Sequence, residues 1–288
     1  MLIRVSVLVS KWIVFTCAKI SMAEKDFQTS TKSKRSVNRL KLRSFDELLE
    51  DARKLIRESE FLESLCKSLE GQHVDRVRCL ALGSFHQDSP ARFQLALLLE
   101  LLSSLNVTRC SLYDPAFDEE DLAYIKGQDH WSVDAESPFA GDKPDSILFF
   151  LPHAPLDLTE KIISKESPRI WLANHLVQHT DRYTKTQLHD KYPLISKLVN
   201  YIDLKTLSKT KTGNEIDEEG FQQFTSSRKR NAKARKNKFK QPSIDYKSVD
   251  SYFTDCSIIN DFRNGSLLTN KPWLNSFSDL TLHMIESN

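Results

Sequence analysis

One histidine stands out among the residues of this chain that could do chemistry. His153 follows the apolar segment SILFFL and lies in the turn Pro152-His153-Ala154-Pro155, where two prolines restrict the backbone. An imidazole titrates near neutral pH, and one held rigidly could act as a general base or donate a hydrogen bond to a ligand. Spacing alone identifies no partner acid or nucleophile. A structural histidine that ties the loop together is the alternative interpretation.

A second group of candidates follows the first two apolar segments. Gly83 and Ser84 come directly after CLAL, and a glycine there could let the backbone approach a phosphate. The turn lacks the G-x-G-x-x-G set of dinucleotide folds, and its neighbours Phe85 and His86 are bulky. Asp114 could accept hydrogen bonds from a ribose, but it lies 31 residues after Gly83, where about 20 is usual. Its alternative role is to cap the turn before the next helix.

The candidates depend on a series of alternating apolar elements. Strands are predicted near residues 76–83, 108–114, 130–133, 146–151 and 169–174, and helices over residues 91–105, 156–164 and near 189–199. Such alternation favours a parallel sheet with helices on both faces, because right-handed crossovers place the helices there. The predicted fold class is therefore α/β, with a Rossmann-like, mostly parallel sheet in one domain that has flexible flanks.

In sheets of this kind, ligands bind beyond the carboxyl ends of the strands, near the point where strand order reverses. The candidate residues share one property, which is that each follows a predicted strand. We expect them to lie at one edge of the sheet as ligand-binding candidates: Gly83, Ser84, Asp114, Pro152, His153 and Asn174.

The remaining segments are assigned by local pattern. Ser44 and Glu47 form a capping-box pattern ahead of apolar residues at helical spacing, which predicts a helix that packs on the core. The C-terminal SFSDLTLHMI alternates like a strand and is expected to return to the sheet edge. The predicted divisions are an N-terminal extension (1–43), the helix (44–71), the Rossmann-like domain (76–203), a polar and basic insertion expected to be disordered (204–250) and the returning segment (251–288).

The N-terminal extension is apolar at first and then polar. Lys11 divides its apolar stretch into runs too short to cross a bilayer of about 30 Å, so no integral membrane insertion is expected. A secretory signal is not expected either, because no unbroken apolar core is present. Three alternatives stay open: a mitochondrial presequence over residues 1–21, an inert extension, or a start of translation at Met22 instead of Met1.

The net charge of +2 conceals one strongly basic run, RKRNAKARKNKFK, so the rest of the chain carries −6. Eight cations can attract phosphate through counterion release, which makes nucleic acid a candidate partner, while nuclear import and a solvated loop are the alternatives. With Phe239 as its single aromatic residue, the run offers little for base stacking. The cations are Arg228, Lys229, Arg230, Lys233, Arg235, Lys236, Lys238 and Lys240.

The five cysteines are odd in number and include no CxxC pair. Cys79 and Cys110 fall inside predicted buried strands, where a free thiol behaves as a small apolar group. The simplest interpretation is a reducing compartment, and no metal site is predicted.

Several of these segments together resemble one family. LALGSF, ARFQLALLLELL, SLYDPAF, FFLPHAPLDL and LANHL, over residues 77–203, are similar to the Sensitivity-to-Red-Light-Reduced (SRR1-like) family, which includes the benomyl-resistance protein of yeasts. The resemblance implies a regulator in cytoplasm and nucleus, associated with light and clock input in plants, microtubule stability in yeasts and haem metabolism in animals. It attaches no reaction or cofactor to the chain.

The chain departs from the family pattern at two places. Ala154 stands where the family often has Cys, and Ala173-Asn174-His175 stands where it often has Gly-Asn-Ser. The resemblance therefore carries Pro152, His153, Pro155 and Asn174 over as binding candidates only.

Two function classes follow from these observations. The first is a non-catalytic regulatory protein that binds a protein partner or small ligand at the strand carboxyl edge. The alternative is a methyltransferase-like enzyme with a nucleotide-type cofactor, with His153 and Asp114 at its site. The first is favoured because no set of acid, base and nucleophile is visible in the sequence.

Overall fold

The computed structural model describes residues 43–212, 244–273 and 275–287. The predictions for the N-terminal extension, for the basic run 228–240 and for most of the insertion 204–250 lie outside these ranges. Within them, no helix combines the length and the apolar character needed to cross a membrane.

The described residues form one seven-stranded mixed sheet in the order β3-β2-β1-β4-β5-β7-β6. Neighbours from β3 through β5 run parallel, whereas β7 runs antiparallel to β5 and β6 antiparallel to β7. The predicted α/β class with a mostly parallel sheet is thus confirmed. The strands are β1 (Arg76–Leu80), β2 (Arg109–Tyr113), β3 (Trp131–Val133), β4 (Ile147–Leu151), β5 (Ile170–Asn174), β6 (Phe253–Asn260) and β7 (Leu280–Ser287).

Helices cover both faces of the sheet, and β4 shows how. Leu148 and Phe150 pack into the core that contains α1 to α3, whereas Phe149 and Leu151 pack into the core that contains α5 and α8. Alternate side chains of a strand point to opposite faces, so a strand between two helical layers must be apolar throughout. The helices are α1 (Phe45–Arg57), α2 (Glu60–Leu69), α3 (Ser89–Leu105), α4 (Glu119–Lys126), α5 (Leu156–Glu166), α6 (Leu176–Thr180), α7 (Lys185–Lys191) and α8 (Pro193–Thr212).

Several element boundaries differ from the predictions. The helix predicted over 44–71 is two helices, because Ser59 ends α1 by donating to the Ile56 carbonyl and caps α2 by accepting from the Leu62 amide. The capping box of Ser44 and Glu47 is present at the start of α1.

The helices after β5 also differ from the prediction. Instead of one helix near 189–199 there are α7 and α8, with Pro193 as the first residue of α8, a position proline favours. Because α8 continues to Thr212, the first part of the predicted insertion is helical. Sequence patterns indicated neither β6 nor α6.

A buried arginine joins elements at the centre of the sheet. Arg78 on β1 is 0 % exposed. Its Nη1 donates to Ser111 Oγ of β2 at 2.7 Å and to the Asp134 carbonyl beyond β3 at 2.9 Å. Its Nε pairs with Glu166 Oε2 at the end of α5 at 3.2 Å. A buried charge is tolerated only when paired and hydrogen-bonded in this way, so the network holds these elements in one arrangement.

The turn after β1 has a left-handed backbone. The predicted strand 76–83 ends at Leu80, since Ala81 has φ +56° and Gly83 has φ +79°. A Cβ added at Gly83 would lie 3.3 Å from the Cβ of Ala91 on α3. Both the positive φ and the close approach therefore favour glycine at position 83.

We expect Gly83→Ala to lower the free energy of unfolding by more than the roughly 1 kcal/mol that a left-handed alanine costs. Gly71→Ala is the matched control, because Gly71 has φ +81° but nothing within 4 Å of an added Cβ. Urea unfolding of both variants measures the difference. Equal losses would show that close packing of the turn against α3 contributes nothing.

Stability should also depend on pH through His283. This side chain on β7 is fully buried, and burial lowers its pKa from 6.5 to about 3. The unfolded ring takes up a proton below pH 6.5 while the folded ring does not, so the unfolded state binds more protons between pH 6.5 and 3. The free energy of unfolding should fall by about 2 kcal/mol from this group between pH 7 and 5.

Urea unfolding at pH 7 and 5 measures this fall in the free energy of unfolding. In His283→Leu the fall between the two pH values should be smaller by about 2 kcal/mol. His73→Leu is the control, because the His73 side chain is 84 % exposed. An unchanged pH dependence in His283→Leu would contradict the assignment.

Candidate functional site

The strand order reverses between β1 and β4, because the chain builds β2 and β3 on one side of β1 and then β4 and β5 on the other. In open α/β sheets the crevice at the carboxyl ends of two such strands is the usual ligand position. A cavity of about 550 Å³ lies there, which we call the switch-point cavity. Its walls are Ala81, Leu82, Gly83, Asp88, Ala91, Gln94, Tyr113, Asp114, Pro115, His153, Pro155 and Leu158.

Asp114 holds two turns together at the floor of this site. Its Oδ2 accepts from the Gly83 amide and its Oδ1 from the Ala116 amide, each at 2.8 Å. Each carboxylate oxygen keeps a second lone pair for another donor. The Gly83 N–H, however, is already committed, so it is not free to bind a phosphate oxygen.

The N-terminus of α3 forms another wall. Asp88 is the N-cap residue, but its side chain accepts no capping hydrogen bond. Pro90 follows in the first turn and contributes no N–H. This helix end therefore presents an exposed carboxylate to the cavity.

His153 also lines the cavity and is exposed to solvent. Its pKa lies below the ordinary value, because partial desolvation outweighs the attraction of Asp279, and the nearby His179 lowers it further. The ring is therefore mainly neutral at pH 7. Among the described residues, no carboxylate accepts a hydrogen bond from it.

Ser84 does not line the switch-point cavity. It is buried, and its Oγ lies 3.3 Å from Asp118 Oδ2 at the start of α4. His86 contacts the same helix end, with its amide and its Nδ1 at 3.0 and 2.7 Å from Asp121 Oδ1.

His86, Asp118 and Asp121 place ligand atoms within 4.8 Å of one another, as a metal site would. The two carboxylates are already used by the capping box of α4, in which each accepts from the backbone of the other. Helix capping therefore accounts for this cluster.

Asn174 lies at the same sheet edge but belongs to a separate polar cluster. Its Nδ2 donates to Asp279 Oδ2 at 2.9 Å, and the adjacent His175 amide donates to the Asp279 carbonyl at 2.6 Å. His179 Nδ1 lies 3.9 Å from the same carboxylate. These contacts fasten the start of β7 to the end of β5, beside a cavity of about 100 Å³.

A further cavity of about 370 Å³ shares the walls Tyr113 and Leu158 with the switch-point cavity. It is lined in addition by Lys161 and Lys165 of α5 and by Glu166, which is engaged with Arg78.

The structure thus brings Gly83, Asp114 and His153 together at one cavity. Ser84 instead contacts Asp118 at the start of α4, and Asn174 contacts Asp279. Pro152 is buried at the end of β4. Asp88 and Gln94 were not among the predicted site residues, because they come from the start of a helix instead of a strand end. Asp279 was also missed, although the predicted C-terminal strand carried a signal: an antiparallel strand begins at the edge where the parallel strands end.

Comparison with known proteins identifies the relatives of this chain. The sequence model of the SRR1 domain matches residues 47–284. A curated SRR1-like protein of Drosophila melanogaster is 24% identical over 153 residues, which cover 46% of this chain and 55% of that protein. The chain thus spans about half the length of this relative. No solved structure matches it significantly. Because the domain match covers most of the sequence, the chain belongs to the SRR1 family.

Proposed function

We propose that this chain is a regulatory protein that binds a small ligand in the switch-point cavity without turnover. One observation carries the proposal: a cavity of about 550 Å³ lies at the strand-order reversal, and Gly83, Asp114 and His153 all line it. A cavity of this size with apolar walls and a few polar groups is typical of small-molecule sites.

The existing contacts of the polar groups near the cavity support binding without a chemical reaction. Asp114 holds two backbone amides, so it serves the architecture of the turns. Cys79, which lies nearby on β1, is fully buried, and burial raises the pKa of its thiol far above the usual range. It therefore offers no thiolate at neutral pH.

A second candidate, an enzyme with a nucleotide-type cofactor, draws support from His153. Its neutral ring at the cavity mouth has the protonation state that a general base needs. The two candidates differ in whether a bound compound is chemically altered.

Ligand binding is tested by thermal unfolding of the full chain with adenosine, S-adenosylmethionine, NAD and haem. We expect a member of this set to raise Tm in the wild type, and Leu158→Trp to abolish that rise by filling the cavity. Leu204→Trp is the matched control, because Leu204 is 56% exposed on α8. No rise with any compound, or an equal rise in Leu158→Trp, would contradict the proposal.

Chromatography of the compounds after incubation separates the two candidates. Unchanged compounds support a binding protein, whereas conversion that disappears in His153→Ala supports the enzyme.

For location, we propose cytoplasm and nucleus, with the eight cations of residues 228–240 acting in import. Receptors for import recognise such basic clusters through their charge. Replacing the eight cations with Gln should reduce the nuclear fraction of the full chain in cells. Replacing the same number of exposed Lys or Arg residues elsewhere is the control, and unchanged nuclear entry would remove this role.

A further inference from the structure

The charges of the switch-point cavity limit which ligands it can hold, an inference that rests on the proposed function. Among the described residues that line it, the ionised groups are the carboxylates of Asp88 and Asp114, and none is Lys or Arg. The remaining titratable wall groups are Tyr113 and His153, and the latter is mainly neutral at pH 7. The wall is thus negative, whereas a phosphate site needs cations or free amides.

The turn and the helix end lack the usual means of binding phosphate. The Gly83 amide is taken by Asp114. Pro90 removes an N–H from the first turn of α3, and Asp88 opposes an anion at that helix end. A phosphate there would meet two carboxylates and few free donors.

Gln94 adds an unsatisfied acceptor to the wall. This side chain is 1% exposed, and its Nε2 donates to the Ser276 carbonyl at 3.0 Å. Because that carbonyl can only accept, the amide orientation is determined, and the atom left over is Oε1. Among the described residues, Gln94 Oε1 has no hydrogen-bond partner. A buried acceptor without a partner favours a ligand that brings a donor.

Among the described residues, the cations near the cavity are not part of its wall. Arg92 Nη2 donates to the His86 carbonyl, and its guanidinium lies over the Phe45 ring at 5.9 Å. Its Nε has no hydrogen-bond partner among these residues, and its charge attracts that of Asp88. Arg78 is paired with Glu166. Lys161 and Lys165 line the neighbouring cavity of about 370 Å³.

We propose that the switch-point cavity selects a small organic cation with an apolar body, such as an amine or amidine, over phosphate-bearing nucleotides. The cationic N–H groups bind Asp88 and the free lone pairs of Asp114. The apolar body packs on walls such as Leu82, Ala91 and Leu158.

Three fragments of one shape test this: benzylammonium, benzyl alcohol and benzoate. Each is titrated into the full chain at pH 7.5, and binding is followed by the NMR signals of the cavity amides. We expect benzylammonium to bind at least about fivefold tighter than benzyl alcohol, and benzoate to bind weakest.

Asp88→Asn provides the matched variant, since asparagine is an equally good N-cap residue and the Asp88 side chain makes no capping bond. It should reduce the affinity for benzylammonium severalfold more than the affinity for benzyl alcohol, so that the preference between the two falls. Asp190→Asn makes the same change in net charge on α7 and should alter neither. Equal binding of the three fragments, or a preference that Asp88→Asn does not change, would overturn the inference alone. No binding of any fragment would also overturn the inference. It would contradict the proposed function as well only if none of the four compounds in the thermal unfolding test raised Tm.

Discussion

The hydrogen bond from the Gly83 amide to the Asp114 carboxylate determines what the candidate site can be. It joins the turn after β1 to the turn after β2, and the other carboxylate oxygen holds Ala116. In nucleotide-binding folds the same two positions contact the ligand, the amide through a phosphate and the carboxylate through a ribose. Here they bind each other. The cavity lies where a nucleotide site would lie, but the amide of its glycine turn is already hydrogen-bonded and its wall is negatively charged.

The surrounding fold keeps this arrangement rigid from both sides. Arg78 links β1, β2 and the end of α5, where its partner Glu166 lines the neighbouring cavity. Because Arg78 is completely buried, breaking part of this network would leave an unpaired charge in the apolar interior. On the far side, Asp279 fastens the start of β7 to the end of β5. The returning C-terminal strand therefore completes the sheet edge on which the site depends.

Much of this could be predicted from the sequence, because strand ends follow from apolar runs bounded by Gly and Pro. That rule located Gly83, Asp114 and His153 correctly at one edge. The rule does not predict the direction of each side chain beyond the strand. Ser84 contacts the start of α4, and Asn174 contacts Asp279. Asp88 and Gln94 were not predicted to line the site, because they lie at the start of α3 and in α3, not at a strand end. The strand β6 was not predicted either. Its pairing with β7 shifts register at two places, which breaks the alternation of buried and exposed side chains that indicates a strand.

The proposed binding site for a small cation is the negative cavity at the strand-order reversal. A crystal structure of the full chain soaked with benzylammonium tests it most directly. We expect density for the ammonium within hydrogen-bond distance of Asp88 or Asp114, with the Gly83 amide still bonded to Asp114. An empty cavity, or a phosphate from the buffer bound at the Gly83 amide in place of Asp114, would contradict it.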